Sequence, residues 1–157
     1  MKLRLGMSPI SWTNDDLPQL GGDTPLSVCL SETREAGFVG IELGGKFPVD
    51  AHGLSTILQE YDLALVSGWY SGTLINNTLE DELDRIQDQL ALFKACNAPV
   101  IVYGETYNTV QNRQEKPLSA RPKLGDFDAV AYGKRLTSLA EYCAAEGVPL
   151  TFHHHMG

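Results

Sequence analysis

Apolar residues along the chain keep two different periods, and the two take turns. Alternating or continuous apolar runs at residues 3–8, 38–45, 63–69 and 99–105, and from 148 into His153, predict five short strands, the last of them buried. The run at 63–69 is nearly unbroken, as in a parallel strand buried on both faces. Between the strands the spacing changes to three and four. Leu26, Leu30 and Thr33 form one stripe, and Leu54, Ile57, Leu58 and Tyr61 a second. Leu83, Ile86, Leu90 and Phe93 form a third, and Ala129, Tyr132, Leu136, Leu139 and Cys143 a fourth. Each stripe predicts an amphipathic helix. Thr24-Pro25 reads as N-cap and first helical position, Gly37 and Gly147 as left-handed helix ends, and Glu80, Asp81 and Glu82 as a dipole-matched first turn.

The resulting order, βαβαβαβαβ, predicts a parallel sheet with right-handed crossovers. Two architectures carry it: a doubly wound sheet, or part of a (β/α)8 TIM barrel. A doubly wound nucleotide fold calls for a Gly-rich turn after the first strand, and Met7-Ser8-Pro9-Ile10 is not one. A barrel instead collects functional residues at the carboxyl ends of several strands. Trp12, Glu42, Trp69, Glu105 and the run His153-His154-His155 all fall at such ends. A barrel needs roughly 250 residues. The expectation is therefore an N-terminal portion of one TIM-barrel domain spanning 1–157, with five strands and four helices.

Charge and composition narrow the chemistry. The 157 residues carry a formal charge of -8, and 43% are hydrophobic. No Lys/Arg stripe is available for nucleic acid, and an acidic surface repels phosphate. No apolar run reaches about 18 residues, so no membrane span is expected. The first seven residues turn polar too soon for a signal peptide. Cys29, Cys96 and Cys143 lie far apart in helical patterns and read as reduced core thiols of a cytoplasmic protein.

Three of the four histidines sit together at the end of the fifth strand. Alternate strand residues share a face, so His153 and His155 point one way with Thr151, and Phe152 and His154 point the other. Neutral imidazoles suit Mn²⁺, Co²⁺, Fe²⁺ or Zn²⁺, and they equally suit hydrogen bonds to a polar substrate. Glu42 and Glu105 are candidates for proton transfer or polyol binding, unless they pair with Lys46, Arg113 or Arg121. Trp12 and Trp69 offer apolar faces for a sugar-like ring, or ordinary packing. The loop from about 106 to 126 carries Arg113, Lys116, Arg121 and Lys123 and reads as a lid or a solvated connection.

Several blocks carry a resemblance. They are Ser11-Trp12-Thr13-Asn14-Asp15-Asp16-Leu17-Pro18, Gly40-Ile41-Glu42-Leu43-Gly44 with Lys46-Phe47-Pro48, Val102-Tyr103-Gly104-Glu105, Arg121-Pro122, and Phe152-His153-His154-His155-Met156-Gly157. Along its whole length the chain resembles the myo-inosose-2 dehydratases, within the xylose-isomerase-like barrels. That superfamily also includes sugar isomerases, epimerases and a DNA-repair endonuclease. The resemblance implies a hydro-lyase that removes water from 2-keto-myo-inositol to give a trihydroxycyclohexane-1,2-dione, assisted by a divalent metal, Mn²⁺ or Co²⁺. It makes His153 the metal-binding candidate, where the superfamily commonly has a glutamate, and leaves the other ligands beyond Gly157. It assigns Glu42, Glu105 and His155 to catalysis, and Trp12, Asn14, Lys46, Trp69 and His154 to the polyol ketone. A sugar isomerase or epimerase on the same fold is the alternative, as is a non-catalytic barrel fragment. A fragment alone would be inactive, would expose its outer strand edges, and would be prone to form a homo-oligomer.

Overall fold

The computed structural model describes residues 3–125 and 127–155. Five strands and four long helices alternate: β1 Gly6–Met7, α1 Leu26–Glu35, β2 Gly40–Leu43, α2 Ala51–Glu60, β3 Ala64–Gly72, α3 Leu79–Ala95, β4 Ile101–Glu105, α4 Ala129–Ala145 and β5 Leu150–His153. Short 3-10 turns cover Pro9–Ser11 and Leu118–Ala120. All neighbours pair in parallel, in the order β1-β2-β3-β4-β5. That order decides between the two architectures. A doubly wound sheet reverses direction at a switch point, whereas a barrel adds each strand beside the one before it. The first half of β3 pairs with β2 and the second half with β4, the stagger that a closing barrel requires.

The core lies between the sheet and the helices. Leu30, Ile41, Leu54, Ile86, Leu90, Phe93, Ile101, Tyr103 and Leu139 are all buried there. Each buried aliphatic or phenyl side chain contributes about 1.5–3 kcal/mol from removal of its apolar surface from water. The helices start on side-chain caps where the sequence offers them. Asp50 accepts from the Gly53 amide at 2.8 Å, Asp128 accepts from the Ala131 amide at 2.9 Å, and Thr78 with Asp81 forms a reciprocal capping box.

Every long helix ends in the same way. Gly37, Asp62, Asn97 and Gly147 have positive φ. The following amide bonds back to Thr33, Leu58, Phe93 and Cys143 respectively, closing a Schellman motif each time.

Four sequence expectations change. Thr24 does not cap α1; Pro25 is the N-cap, in extended conformation, and the Thr24 carbonyl accepts from Lys46 instead. Strand one shrinks to Gly6–Met7, because β2 offers it only Gly40 and Ile41 as partners. The fifth strand is not buried. Among the described residues nothing pairs along its outer edge, and Phe152 stays 51% exposed. Cys96 is half-buried at the C-cap of α3 rather than in the core, while Cys29 and Cys143 are buried; all three are free thiols. Among the described residues no helix is long and apolar enough to cross a membrane.

Candidate functional site

A cleft of about 440 Å³ opens at the carboxyl ends of the strands, on the face of the sheet turned away from the helices. The loop after β1 supplies Asn14, Asp15 and Asp16, β2 supplies Glu42, β3 supplies Trp69 and Ser71, and β5 and its exit supply His153 and His155. Strand alternation puts the last two on one face. Facing β2, alternation alone would fail. Ile41 pairs with Leu65, but Glu42 pairs with Ser67, so β3 carries one extra residue there. This bulge leaves Val66 on the cleft side over Gly6 and Gly40, where any Cβ would collide with it, and brings Ser67 round to the same side. Ser67 is 7% exposed, and its hydroxyl donates to Glu42 Oε1 at 2.5 Å. The bulge also sets the phase for Trp69 and Ser71. The Trp69 indole N–H donates to Ser71 Oγ at 2.9 Å.

The indole meets both histidines edge-on. Ring centroids lie 5.4 Å from His153 and 5.3 Å from His155, and the two imidazoles are 5.9 Å apart. Asp15 Oδ2 accepts from the Gly45 amide at 2.9 Å, which ties the β1 loop to the exit of β2. Asn14 Oδ1 accepts from the amides of Asp16 and Leu17, which shapes the loop, and Asn14 itself lines the cleft.

The other predicted site residues are placed elsewhere. Trp12 turns to α1 and donates its indole N–H to Glu32 at 2.5 Å. The Lys46 ammonium is held by the carbonyls of Gly22 and Thr24, at 2.7 and 2.5 Å, and so fastens the long β1 loop from outside the cleft. Glu105 faces the helices, like Tyr103 two residues before it. Its Oε2 accepts from Tyr103 and Tyr132 hydroxyls at 3.1 and 3.2 Å and from the Ile75 amide, and its Oε1 accepts from the Tyr107 amide. Burial pushes its carboxyl above the ordinary glutamate range, and the four donors pull it part of the way back. The same burial raises the Tyr103 and Tyr132 hydroxyls.

Glu105 and His154 line a second cavity of about 460 Å³, between the end of β4 and the loop that leads to α4, with Arg121, Phe127 and Tyr132. It is the more apolar of the two. His153 and His155 line both cavities; the smaller cleft sets them opposite Asn14, Asp15, Asp16, Glu42 and Ser71, and convergent polar groups are what chemistry on a polyol needs.

Sequence reading missed Ser67 and Ser71, and it named Asp15 only inside a motif. Ser67 had a signal, since Ser67-Gly68 interrupts the apolar run of β3. Among the described residues no three His, Cys, Asp or Glu are grouped so as to hold a metal ion.

No protein-family profile matches the chain. It is 45% identical over 157 residues to the rhizopine catabolism protein MocC of Rhizobium meliloti, covering all of this chain and 48% of that protein. It is 35% identical to the inosose dehydratase of Mesomycoplasma hyopneumoniae, over 99% of this chain and 51% of the relative. The inosose dehydratase of Geobacillus thermodenitrificans is also 35% identical, with 99% and 53% covered. The chain thus spans about half the length of the curated relatives it matches. Among solved structures, a xylose isomerase-like TIM barrel protein from Mycobacterium smegmatis in complex with magnesium superposes with a TM-score of 0.60 at 18% identity, over 98% of this chain and 57% of that one. An AP endonuclease of family 2 from Brucella melitensis gives 0.59 at 15% identity, over 96% and 55%. Strand order, cleft and neighbours together define five strands and four helices of a TIM barrel, the fold that the xylose isomerase-like structures share. Within that class, the sequence relatives of this chain are the inosose dehydratases and MocC.

Proposed function

We propose that the protein containing this chain is a hydro-lyase that dehydrates 2-keto-myo-inositol to a trihydroxycyclohexane-1,2-dione. The observation that carries this reading is the convergence of Glu42, Trp69, His153 and His155 on one cleft, in a chain whose relatives are inosose dehydratases. The Trp69 indole offers an apolar wall to the C–H face of a cyclohexane ring. Asn14 donates to a ring hydroxyl. Ser67 occupies Glu42 Oε1, so Oε2 is left to take the proton from the carbon beside the ketone. That C–H bond breaks and its electron pair forms the enolate. The C–O bond one carbon further on then breaks, and hydroxide leaves as water with a proton from His155. The remaining enol tautomerises to the dione.

A divalent metal belongs to this reading, since a barrel of the same fold was solved with magnesium, and Mn²⁺ or Co²⁺ is our finer proposal. His153 would give one imidazole ligand, and a full set needs donors outside the described residues. When bound, the ion would polarise the ketone as a Lewis acid. Glu105 and His154 have an indirect part, bracing the end of β4 and the wall of the neighbouring cavity. The three free thiols fit a cytoplasmic setting.

The test is incubation of the intact protein with inosose and a divalent ion, with products followed by mass spectrometry. Loss of one water is expected, and turnover should drop roughly 10²–10⁴-fold in Glu42→Ala. An isomeric ketose with no mass change would move the assignment to isomerisation.

A further inference from the structure

We propose that Trp69 is a positioning residue that fixes the imidazoles of His153 and His155, and that Gly104 is the position that admits it. Trp69 stands on β3 and the histidines on and beyond β5, so β4 lies between them. The indole reaches them by lying across β4 at Gly104, which pairs with Ser71 on one side and with His153 on the other. A Cβ on Gly104 would come within 1.9 Å of the indole Cη2 and 2.2 Å of Cζ2. Any residue but glycine there would drive the ring off the sheet. The reason is purely steric, because Gly104 is not among the glycines with positive φ.

The indole is held at both ends. Its N–H is bonded to Ser71 Oγ at 2.9 Å, and its far edge meets His153 at 76° and His155 at 60° between ring planes. Edge-to-face contacts of this kind favour one ring orientation over its alternatives. The cleft histidines therefore owe their arrangement to a residue two strands away. His154 has no ring contact with Trp69, which makes it an internal control.

The proposal deepens the reading of this cleft as the reaction site, but its test uses no turnover. Loss of the dehydratase assignment would leave it standing. The intact protein is labelled on its histidine rings, and the imidazole proton shifts and ring residual dipolar couplings are read by NMR in wild type, Trp69→Leu, Gly104→Ala and the double variant. In wild type the indole should displace the ring signals of His153 and His155, and those of His154 should be unaffected. Trp69→Leu should abolish both displacements. Gly104→Ala should alter them, and it should have no further effect once Trp69 is Leu, because the added methyl then has nothing to collide with. Ring couplings of His153 and His155 that stay unchanged in Trp69→Leu would overturn the proposal, whatever the shifts do. So would equal effects of Gly104→Ala with and without the tryptophan. If Gly104→Ala alone fails to fold, the Trp69→Leu comparison decides it.

Discussion

The Ser67 hydroxyl donates to Glu42 Oε1 across 2.5 Å, between strands that only a bulge brings into phase. A hydrogen bond to a carboxylate is among the stronger ones in proteins. It fixes which Glu42 oxygen is free and where it points. Replacing Ser67 with Ala should cut turnover of the intact protein about tenfold, which corresponds to about 1.4 kcal/mol. Ser67→Thr, which keeps the hydroxyl, should retain most of it. Paired kinetics of the two variants check this, and equal losses would point to packing.

Removal of divalent ions should abolish dehydration by the intact protein. Dialysis against a chelator followed by titration with Mn²⁺, Co²⁺ and Mg²⁺ would show it, with fuller recovery expected from the first two. His153→Ala should weaken the recovery roughly 10–100-fold in metal concentration if that imidazole is a ligand.

Glu105 makes stability depend on pH. Burial raises its carboxyl above the 4.5 of an unperturbed glutamate. The folded chain then keeps a proton that the unfolded chain has released, so stability falls as pH rises from that value through the raised one. Urea midpoints across this range should decline in wild type and stay flatter in Glu105→Gln. At neutral pH the variant should still be less stable, by about 1–3 kcal/mol, because its amide cannot accept from all four donors.

Asn97 holds a left-handed position with φ 55°, where a side chain is strained. Asn97→Gly should raise stability by about 0.5–1 kcal/mol. Gly37→Ala, at φ 87°, should lower it by about 1 kcal/mol. Thermal melts of the two variants should move in opposite directions. Asp62 is less clean, since its carboxylate also pairs with Arg34 at 2.5 Å.

Much of this was legible in the chain itself. Helical stripes such as Ile86-Leu90-Phe93 and the break at Gly147 follow from local rules, and so does the shared face of His153 and His155. The exits at Asp62 and Asn97 were harder, because neither is a glycine and their left-handed backbone is imposed by the next strand docking. Ser67 could not be placed by counting. A bulge shifts the alternation by one, and it arises from pairing with β2, a partner twenty-five residues away in sequence from Ser67 to Glu42. Lys46 and Trp12 could not be placed by counting for a related reason. Both sit near strand ends, and their polar atoms bond to Glu32 and to neighbouring carbonyls that lie far off in sequence.

The strand that carries the histidines is anchored to the rest of the sheet by β4 alone, among the described residues. Its stiffness is therefore borrowed from one side. Whatever lies along its free edge, covalently continuous or not, would damp the motion of the imidazoles without touching them. Ligand binding in this cleft and association along that edge would then be thermodynamically linked, and a ligand that orders the rings would tighten the association by the same factor by which association tightens the ligand.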